Sequence, residues 1–332
     1  MTATFRVERP AIATYSSQWG VEPLAPLKNP HYPTLTATVP KEFVHRAAVA
    51  EVMLTDWEQL DEGRFRVAAQ WPRSHSFFTP IDGRHHDPLM AGETIRQVGA
   101  LLAHAEFGVP FDHHFLLWDF ALTVHPEQLE VRQAPASLEI EVICTEVKRR
   151  GGRLAGLSYE TVVRREGQLA ASGRISYACT SAAVYRRVRP ARVFDDQRHL
   201  LALTAPAAPQ TMGRTSPADV VLSPIGERNR WQLRVDTRHP VLFDHPVDHV
   251  PGMVLLEAAR QGAAAVLERP TFLPLGITAT FDRYAELDAP CFVEAHLLDR
   301  ESPGGQKTVR VTGHQEGSQV FSSLVTAAAT TG

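Results

Sequence analysis

Cysteine is scarce. The three residues Cys144, Cys179 and Cys291 lie far apart, with no CxxC spacing. This excludes a disulfide framework and a thiolate zinc site, and it predicts reduced core thiols. An excess of one charge is also missing: 34 Lys+Arg face 37 Asp+Glu, a formal net charge of −3. The basic footprint of a general nucleic-acid binder is therefore absent. No apolar run reaches the roughly 18 residues of a membrane-spanning helix. The opening residues lack an apolar core of signal-peptide length, so a cytoplasmic setting is expected. Nucleotide and hydrolase signatures are lacking as well: there is no GxGxxG after a strand, no P-loop, no GxSxG and no HExxH. What is present is globular in character, with 44% hydrophobic and 21% charged residues. At about 150 residues per domain, 332 residues make two domains. The 15 histidines are the unusual component, and several of them cluster.

The chain repeats itself. Glu51/Asp219, Val52/Val220, Leu54/Leu222, Arg66/Arg234 and Val67/Val235 share an offset of 168. His75/His239, His85/His249, Glu93/Glu257, Arg96/Arg260 and Gln97/Gln261 share an offset of 164. Two ordered runs of constant offset indicate a tandem duplication, with four extra residues in the first copy between Val67 and His75.

Each copy carries the same plan. Two half-buried strands come first, near 50–56 with FRVAAQW and near 218–223 with WQLRVDT. A loop rich in His, Pro and Asp leads to an apolar helix, GETIRQVGALLAHAEFG in the first copy and GMVLLEAARQGAAAVLE in the second, stopped by Gly108 and Pro270. Long strand candidates follow, separated by turn residues such as Gly151-Gly152 and Gly304-Gly305. A helix that is apolar around most of its circumference must be buried, so the antiparallel sheet has to wrap it. The expected fold is therefore α+β: two tandem hot-dog domains packed as a pseudo-dimer. Residues 1–35, punctuated by Pro10, Pro23, Pro26, Pro30 and Pro33, read as an extended arm. The domains are expected at 36–184 and 218–332, with a Pro-rich linker at 185–217.

Chemistry concentrates in one stretch, His239-Pro-Val-Leu-Phe-Asp-His-Pro-Val-Asp-His-Val-Pro-Gly-Met-Val-Leu-Leu-Glu-Ala-Ala-Arg-Gln261. Pro251-Gly252 can open the helix, and its uncovered N–H groups can hold an oxyanion. Glu257 and Arg260 are three residues apart, on nearly the same face. One reading makes them an internal ion pair. The other places them on a cavity at the domain interface, with Glu257 as a base of raised pKa and Arg260 as an anion anchor. Glu93 and Arg96 repeat the pair. His245 and His249, flanked by Asp244 and Asp248, allow three readings: a catalytic histidine, a loop-structuring His–Asp hydrogen bond, or a metal site. His104, His113 and His114 read as surface or interface residues. Arg149-Arg150-Gly-Gly-Arg153 and Arg186-Arg187 read as solvated turns, or as a surface complementary to an acidic carrier protein.

Pro251-Gly252-x4-Glu257-Ala258-x2-Gln261 resembles the helix start of the hydroxyacyl-carrier-protein dehydratases. In that family a histidine lies fourteen residues before the acid, a position held here by Phe243. As a whole, FDHPVDHVPGMVLLEAARQ, with Glu-x-x-Arg-Gln in both copies, resembles the A-factor biosynthesis (AfsA-like) family over roughly 40–330. The resemblance implies transfer of a β-ketoacyl group from an acyl carrier protein to the hydroxyl of dihydroxyacetone phosphate, the first step towards a γ-butyrolactone-type signalling molecule. It implies no cofactor and no metal. On this reading Glu257, His245, Gly252 and Glu93 are candidate catalytic groups. Arg260, Arg96, His249, Asp248 and Gln261 are candidate substrate contacts. A dehydratase, a thioesterase or a non-catalytic acyl-binding module on the same fold remain alternatives, as do a monomer and a homodimer.

Overall fold

The computed structural model describes residues 36–189, 201–269, 271–298 and 305–328. The expected arm at 1–35 lies outside the described residues, as does the 190–200 part of the expected linker. The first copy contains β1 (Leu54–Asp61), β2 (Arg64–Trp71), α1 (Pro88–Ala105) and β3 (His114–Val124). It continues with β4 (Ala136–Arg150), β5 (Arg153–Arg165), β6 (Gln168–Thr180) and the short α2 (Ala182–Val188). The second copy contains β7 (Leu222–Pro224), β8 (Arg230–Leu233), α3 (Gly252–Leu267) and β9 (Pro274–Phe281). It ends with β10 (Cys291–Leu298), β11 (Lys307–Gln315) and β12 (Ser318–Ala327).

The strands form one 12-stranded sheet in the order β1-β2-β4-β5-β6-β3-β9-β12-β11-β10-β8-β7. Exchange the two copies and the order reads the same from either end, as a pseudo-twofold axis requires. The seam is the antiparallel pair β3–β9, where Asp119 faces Thr280, Ala121 faces Thr278 and Thr123 faces Gly276. The expected tandem hot-dog pseudo-dimer is the observed architecture.

The helices are buried for the reason their composition suggests. Every residue of α1 except Arg96 is buried, and so is every residue of α3 from Met253 to Ala264. Strand β2 alternates, turning Phe65, Val67, Ala69 and Trp71 onto the core. At Gly99 an added Cβ would lie 2.5 Å from the Tyr159 hydroxyl. Glycine there lets β5 approach α1 and lets Tyr159 donate to the Ile95 carbonyl at 2.8 Å.

The expected boundaries shift in two places. Helix α2 runs through the expected domain end at 184. Short 3-10 turns at Pro209–Met212 and Pro217–Asp219 repeat those at Lys41–Val44 and Val49–Glu51, at the same offset of 168. Part of the expected linker thus folds with the second copy, because it has apolar residues to bury: Ala207 and Met212 are in the core.

Candidate functional site

Glu257 is wholly buried on α3. Its carboxylate accepts from Arg260 at 2.9 and 2.7 Å, from Arg214 at 2.8 and 2.7 Å, and from Gln261. Arg214 also donates to the Phe77 carbonyl of the first copy at 2.6 Å and lies 3.4 Å from Asp87. The first copy builds the same cluster. Glu93 accepts from Arg96 at 2.8 and 2.7 Å, from Gln97 at 2.8 Å and from Arg46 at 3.0 Å. Arg46 crosses to the Val241 carbonyl at 3.0 Å. The glutamines continue the stitching: Gln261 binds Val221 N–H and the Asp219 carbonyl, and Gln97 binds Met53 N–H and the Glu51 carbonyl.

This corrects one expectation. Burial alone pushes the Glu257 carboxyl up, but Arg214 and Arg260 overcome it and hold the pKa down at about 2. Glu93, between Arg46 and Arg96, is likewise held at about 2. A carboxylate so stabilised is a poor proton acceptor at neutral pH. Of the two readings of Glu257 and Arg260, the geometry matches the ion pair, enlarged by an arginine that sequence reasoning did not assign. Arg260 is 1% exposed and directs its donors at Glu257 and Met212. Arg96 keeps a quarter of its side chain exposed.

The two helix starts differ. On α1, Asp87 is the N-cap and accepts from Leu89 N–H at 2.9 Å. On α3, Pro251 is the N-cap and offers no side-chain acceptor. A carboxylate closes the first start to an anion, whereas the second presents N–H groups and the positive end of the helix dipole. Gly252 opens α3 beside the seam, its missing Cβ position 3.2 Å from Leu117 of β3.

A second polar cluster sits just upstream of that open start. His249 Nδ1 is 2.7 Å from Asp248 Oδ1. Asp248 accepts from the Tyr185 hydroxyl at 2.8 Å on each oxygen, and from Arg189 Nε at 3.3 Å. Arg189 grips Glu286 through both terminal nitrogens at 2.8 Å and lies 3.9 Å over the Tyr284 ring. The His114 ring stacks on Tyr185 at 3.7 Å, with 7° between planes. Burial tends to raise the Asp248 carboxyl, but hydrogen bonds from His249 and Tyr185 hold it well below the usual carboxylate range. Burial and the Asp248 contact push the Tyr185 hydroxyl well above its ordinary value, so it stays a donor.

Other expected residues lie elsewhere. His245 is 44% exposed and bonds Asp244 at 2.6 Å, which in turn accepts from Ala47 N–H. His104, expected at a surface or interface, is buried on α1, 2.6 Å from the His45 ring and bonded to the Val109 carbonyl. Burial raises the thiols, to about 11 for Cys144 and about 12 for Cys179 and Cys291. Among the described residues no group of His, Cys, Asp or Glu is arranged to hold a metal ion. Sequence reasoning missed Arg46 and Arg214, although they share the offset of 168. It also missed Tyr185 and Arg189, which no periodic signal marks in a Pro-rich stretch.

A cavity of about 210 Å³ opens beside the Asp248–Arg189 cluster at Glu286, lined by Leu203, Leu233, Val250 and Leu287 and also by the charged Asp236 and Arg238.

Known proteins resemble the chain at two levels. A 2-oxo-3-(phosphooxy)propyl 3-oxoalkanoate synthase from Streptomyces virginiae is 54% identical over 291 residues, 88% of this chain and 98% of that protein. One of the same name from Streptomyces coelicolor is 44% identical over 295 residues, 89% of this chain and 93% of that protein. Among solved structures, a protein described as an oleoyl thioesterase from Lactobacillus plantarum matches with a TM-score of 0.51 at 13% identity. That match covers 80% of this chain and 96% of the other, and it shows the shared fold alone. Residues 27–181 and 195–331 match the A-factor biosynthesis hotdog domain, and the chain belongs to that family.

Proposed function

We propose that this protein transfers a β-ketoacyl group from an acyl-carrier-protein thioester to a hydroxyl of dihydroxyacetone phosphate. The product is a 2-oxo-3-(phosphooxy)propyl 3-oxoalkanoate, the starting ester for a γ-butyrolactone-type signalling molecule. One observation carries this reading: 54% identity over 88% of the chain to a synthase named for that ester. That name describes an ester of a 3-oxoalkanoate with a phosphorylated three-carbon alcohol, which supports a 3-oxoacyl donor and a dihydroxyacetone phosphate acceptor.

The geometry supports it. Acyl transfer to an alcohol needs a place for the thioester oxygen as it gains charge. The uncapped start of α3 at Gly252 suits that role, and only the second copy offers it, since Asp87 closes the first. The cavity beside Val250 offers an apolar wall of Leu203, Leu233 and Leu287 to the acyl chain, with Asp236, Arg238 and Glu286 also on its lining. Both arginines expected to anchor the phosphate are paired with a helix glutamate, but Arg96 is the more accessible, with 25% of its side chain exposed against 2% for Arg260. Helix α2 turns Tyr185 inward and leaves Arg186 and Arg187 exposed, a basic face for an acidic carrier protein. One chain holds both sides of the seam, so a monomer can carry a complete site.

Mass spectrometry of the purified protein mixed with a β-ketoacyl carrier protein, with and without dihydroxyacetone phosphate, tests the proposal. A phosphorylated ester that forms only with both substrates is the expected result. Free acid alone would indicate a thioesterase, and unchanged substrates a binding module.

A further inference from the structure

We infer that His249 is the general base of the acyl transfer, aimed by Asp248, which Tyr185 and Arg189 hold in place. The inference rests on the reaction proposed above and assigns its proton-transfer group.

Among the described residues, Asp248 faces the donors His249, Tyr185 and Arg189. An ionised carboxylate only accepts, so the His249 Nδ1 carries its proton towards Asp248 and the Nε2 keeps its lone pair. Among the described residues no hydrogen bond engages that Nε2, and the side chain is 26% exposed. An imidazole locked through one nitrogen and open at the other is the arrangement of a general base. His249 lies three residues before Gly252, where the open α3 start faces the seam. The cluster draws on both copies: His114 and Tyr185 come from the first copy and the end of its α2, and His249, Tyr284 and Glu286 from the second.

The first copy shows what a structural histidine looks like at the same place. His85, the equivalent of His249, makes the same type of isolated antiparallel bridge, to Glu130 as His249 does to Glu286. Arg84 stands in place of Asp248, His85 turns to Asp82 in a surface turn at 3.1 Å, and Asp87 closes the helix start. The backbone is duplicated, but the dyad and the open helix occur together only in the second copy.

In the reaction, His249 Nε2 takes the hydroxyl proton of dihydroxyacetone phosphate as its oxygen bonds to the thioester carbonyl carbon. The carbonyl oxygen gains the charge. When the carbon–sulfur bond breaks, the carrier's sulfur leaves and receives the proton from the imidazolium. One ester and one free thiol result, and His249 is regenerated.

The charged and titratable groups around His249 are Asp248 on its own segment, Arg189 and Tyr185 from the α2 region, Tyr284 and Glu286 between β9 and β10, and His114 at the start of β3. The test uses the full chain with a β-ketoacyl carrier protein and dihydroxyacetone phosphate. His249→Gln is expected to lower kcat by about 10²-fold or more, the usual range for loss of a general base, with the acceptor KM and the far-UV spectrum unchanged. Added imidazole is expected to restore part of the rate to His249→Gly. Tyr185→Phe frees Asp248 to hold the imidazolium more tightly, so the acid limb of the pH–rate profile moves to higher pH. A merely structural tyrosine would leave that limb in place. If the wild type makes the ester and His249→Gln retains more than about a tenth of kcat, the inference falls and the reaction stands. If the wild type makes no ester, the proposed reaction itself fails.

Discussion

Arg46 and Arg214 cross the seam in opposite directions. Arg46 Nη1 donates to the Val241 carbonyl at 3.0 Å, and Arg214 Nη1 donates to the Phe77 carbonyl at 2.6 Å. Each arginine is also bonded to the buried helix glutamate of its own copy, Glu93 or Glu257. The repeated Glu-x-x-Arg-Gln thus anchors a reciprocal clasp between the copies. Fully saturated buried charges of this kind specify one docking geometry, and breaking one partner costs far more than the intact pair contributes.

Glu257→Gln therefore tests stability first. It leaves Arg214 and Arg260 buried with only the more distant charges of Asp87 and Asp219 to offset Arg214 among the described residues. Loss of one member of a buried charge cluster costs about 3–5 kcal/mol. In a chain of this size that is a fall in Tm of roughly 10 °C. Calorimetry of wild type, Glu257→Gln and Glu93→Gln measures it. An unchanged Tm in both variants would remove the clasp.

Acid should weaken the protein in two stages. Burial, reinforced by His104, lowers His45 from 6.5 to about 3, and burial, reinforced by Arg165, lowers His86 from 6.5 to about 4. As pH falls below 6.5 the unfolded chain takes up these protons before the folded one does. Each histidine then removes stability at about 1.4 kcal/mol per pH unit until its folded pKa is reached. The second stage comes from Glu93 and Glu257, lowered from 4.5 to about 2: their contribution is present above 4.5 and lost as pH falls towards 2. Asp87, which burial raises, runs the other way and softens this stage. Urea midpoints at pH 7.5, 6, 5 and 4 should fall at every step. A flat profile from 7.5 to 5 would contradict the neutral burial of His45 and His86.

The duplication was legible because Glu93/Glu257, Arg96/Arg260 and Gln97/Gln261 keep one spacing inside helices whose apolar pattern announces them. The strands from β3 onward were legible for a similar reason, since long alternating runs end at glycine or proline. The ionisation of Glu257 was not legible. Its second guanidinium arrives from Arg214, 43 residues upstream, and only the fold brings that charge within hydrogen-bond reach. Tyr185 and Arg189 were hidden because α2 spans only seven residues, too few to show helical periodicity beside a proline-rich stretch. His249 and Asp248 were visible as a pair, but their sequence could not distinguish a loop tie from a dyad, and His245 with Asp244 looked much the same.

That comparison supplies a control. His245 is exposed, and its partner Asp244 lies 3.5 Å from Arg46 in the clasp. His245→Ala should leave kcat within about threefold of wild type and cost under about 1 kcal/mol, as surface pairs do. Steady-state kinetics decide it. A loss matching that of His249→Gln would shift the chemistry to the other His–Asp pair.

Carrier docking should depend on salt. Arg186 and Arg187 are exposed on α2, whose Tyr185 reaches into the site. Replacing both with Glu should raise the KM for the acyl carrier protein about tenfold at low ionic strength, with kcat and the KM for dihydroxyacetone phosphate retained. The difference from wild type should shrink in 0.5 M salt, where the screening length is only a few ångströms. An unaltered carrier KM would move the docking face elsewhere.

Gly252 separates helix stability from catalysis. Alanine is the better helix former by about 1 kcal/mol in a helix interior, and somewhat less at the first position. Its Cβ would lie 3.2 Å from Leu117, the far end of a flexible side chain that can yield by a few tenths of an ångström. Gly252→Ala should therefore leave Tm unchanged or slightly raised. The same methyl crowds the open N–H groups where the thioester oxygen would settle. Removal of a single oxyanion donor costs about 10²–10³ in kcat, so partial screening by a methyl should cost about tenfold. A normal or higher Tm with a lower kcat is the signature of an N-terminal oxyanion site. A fully active Gly252→Ala enzyme would mean that the helix start is open for packing reasons and that the thioester oxygen is held elsewhere.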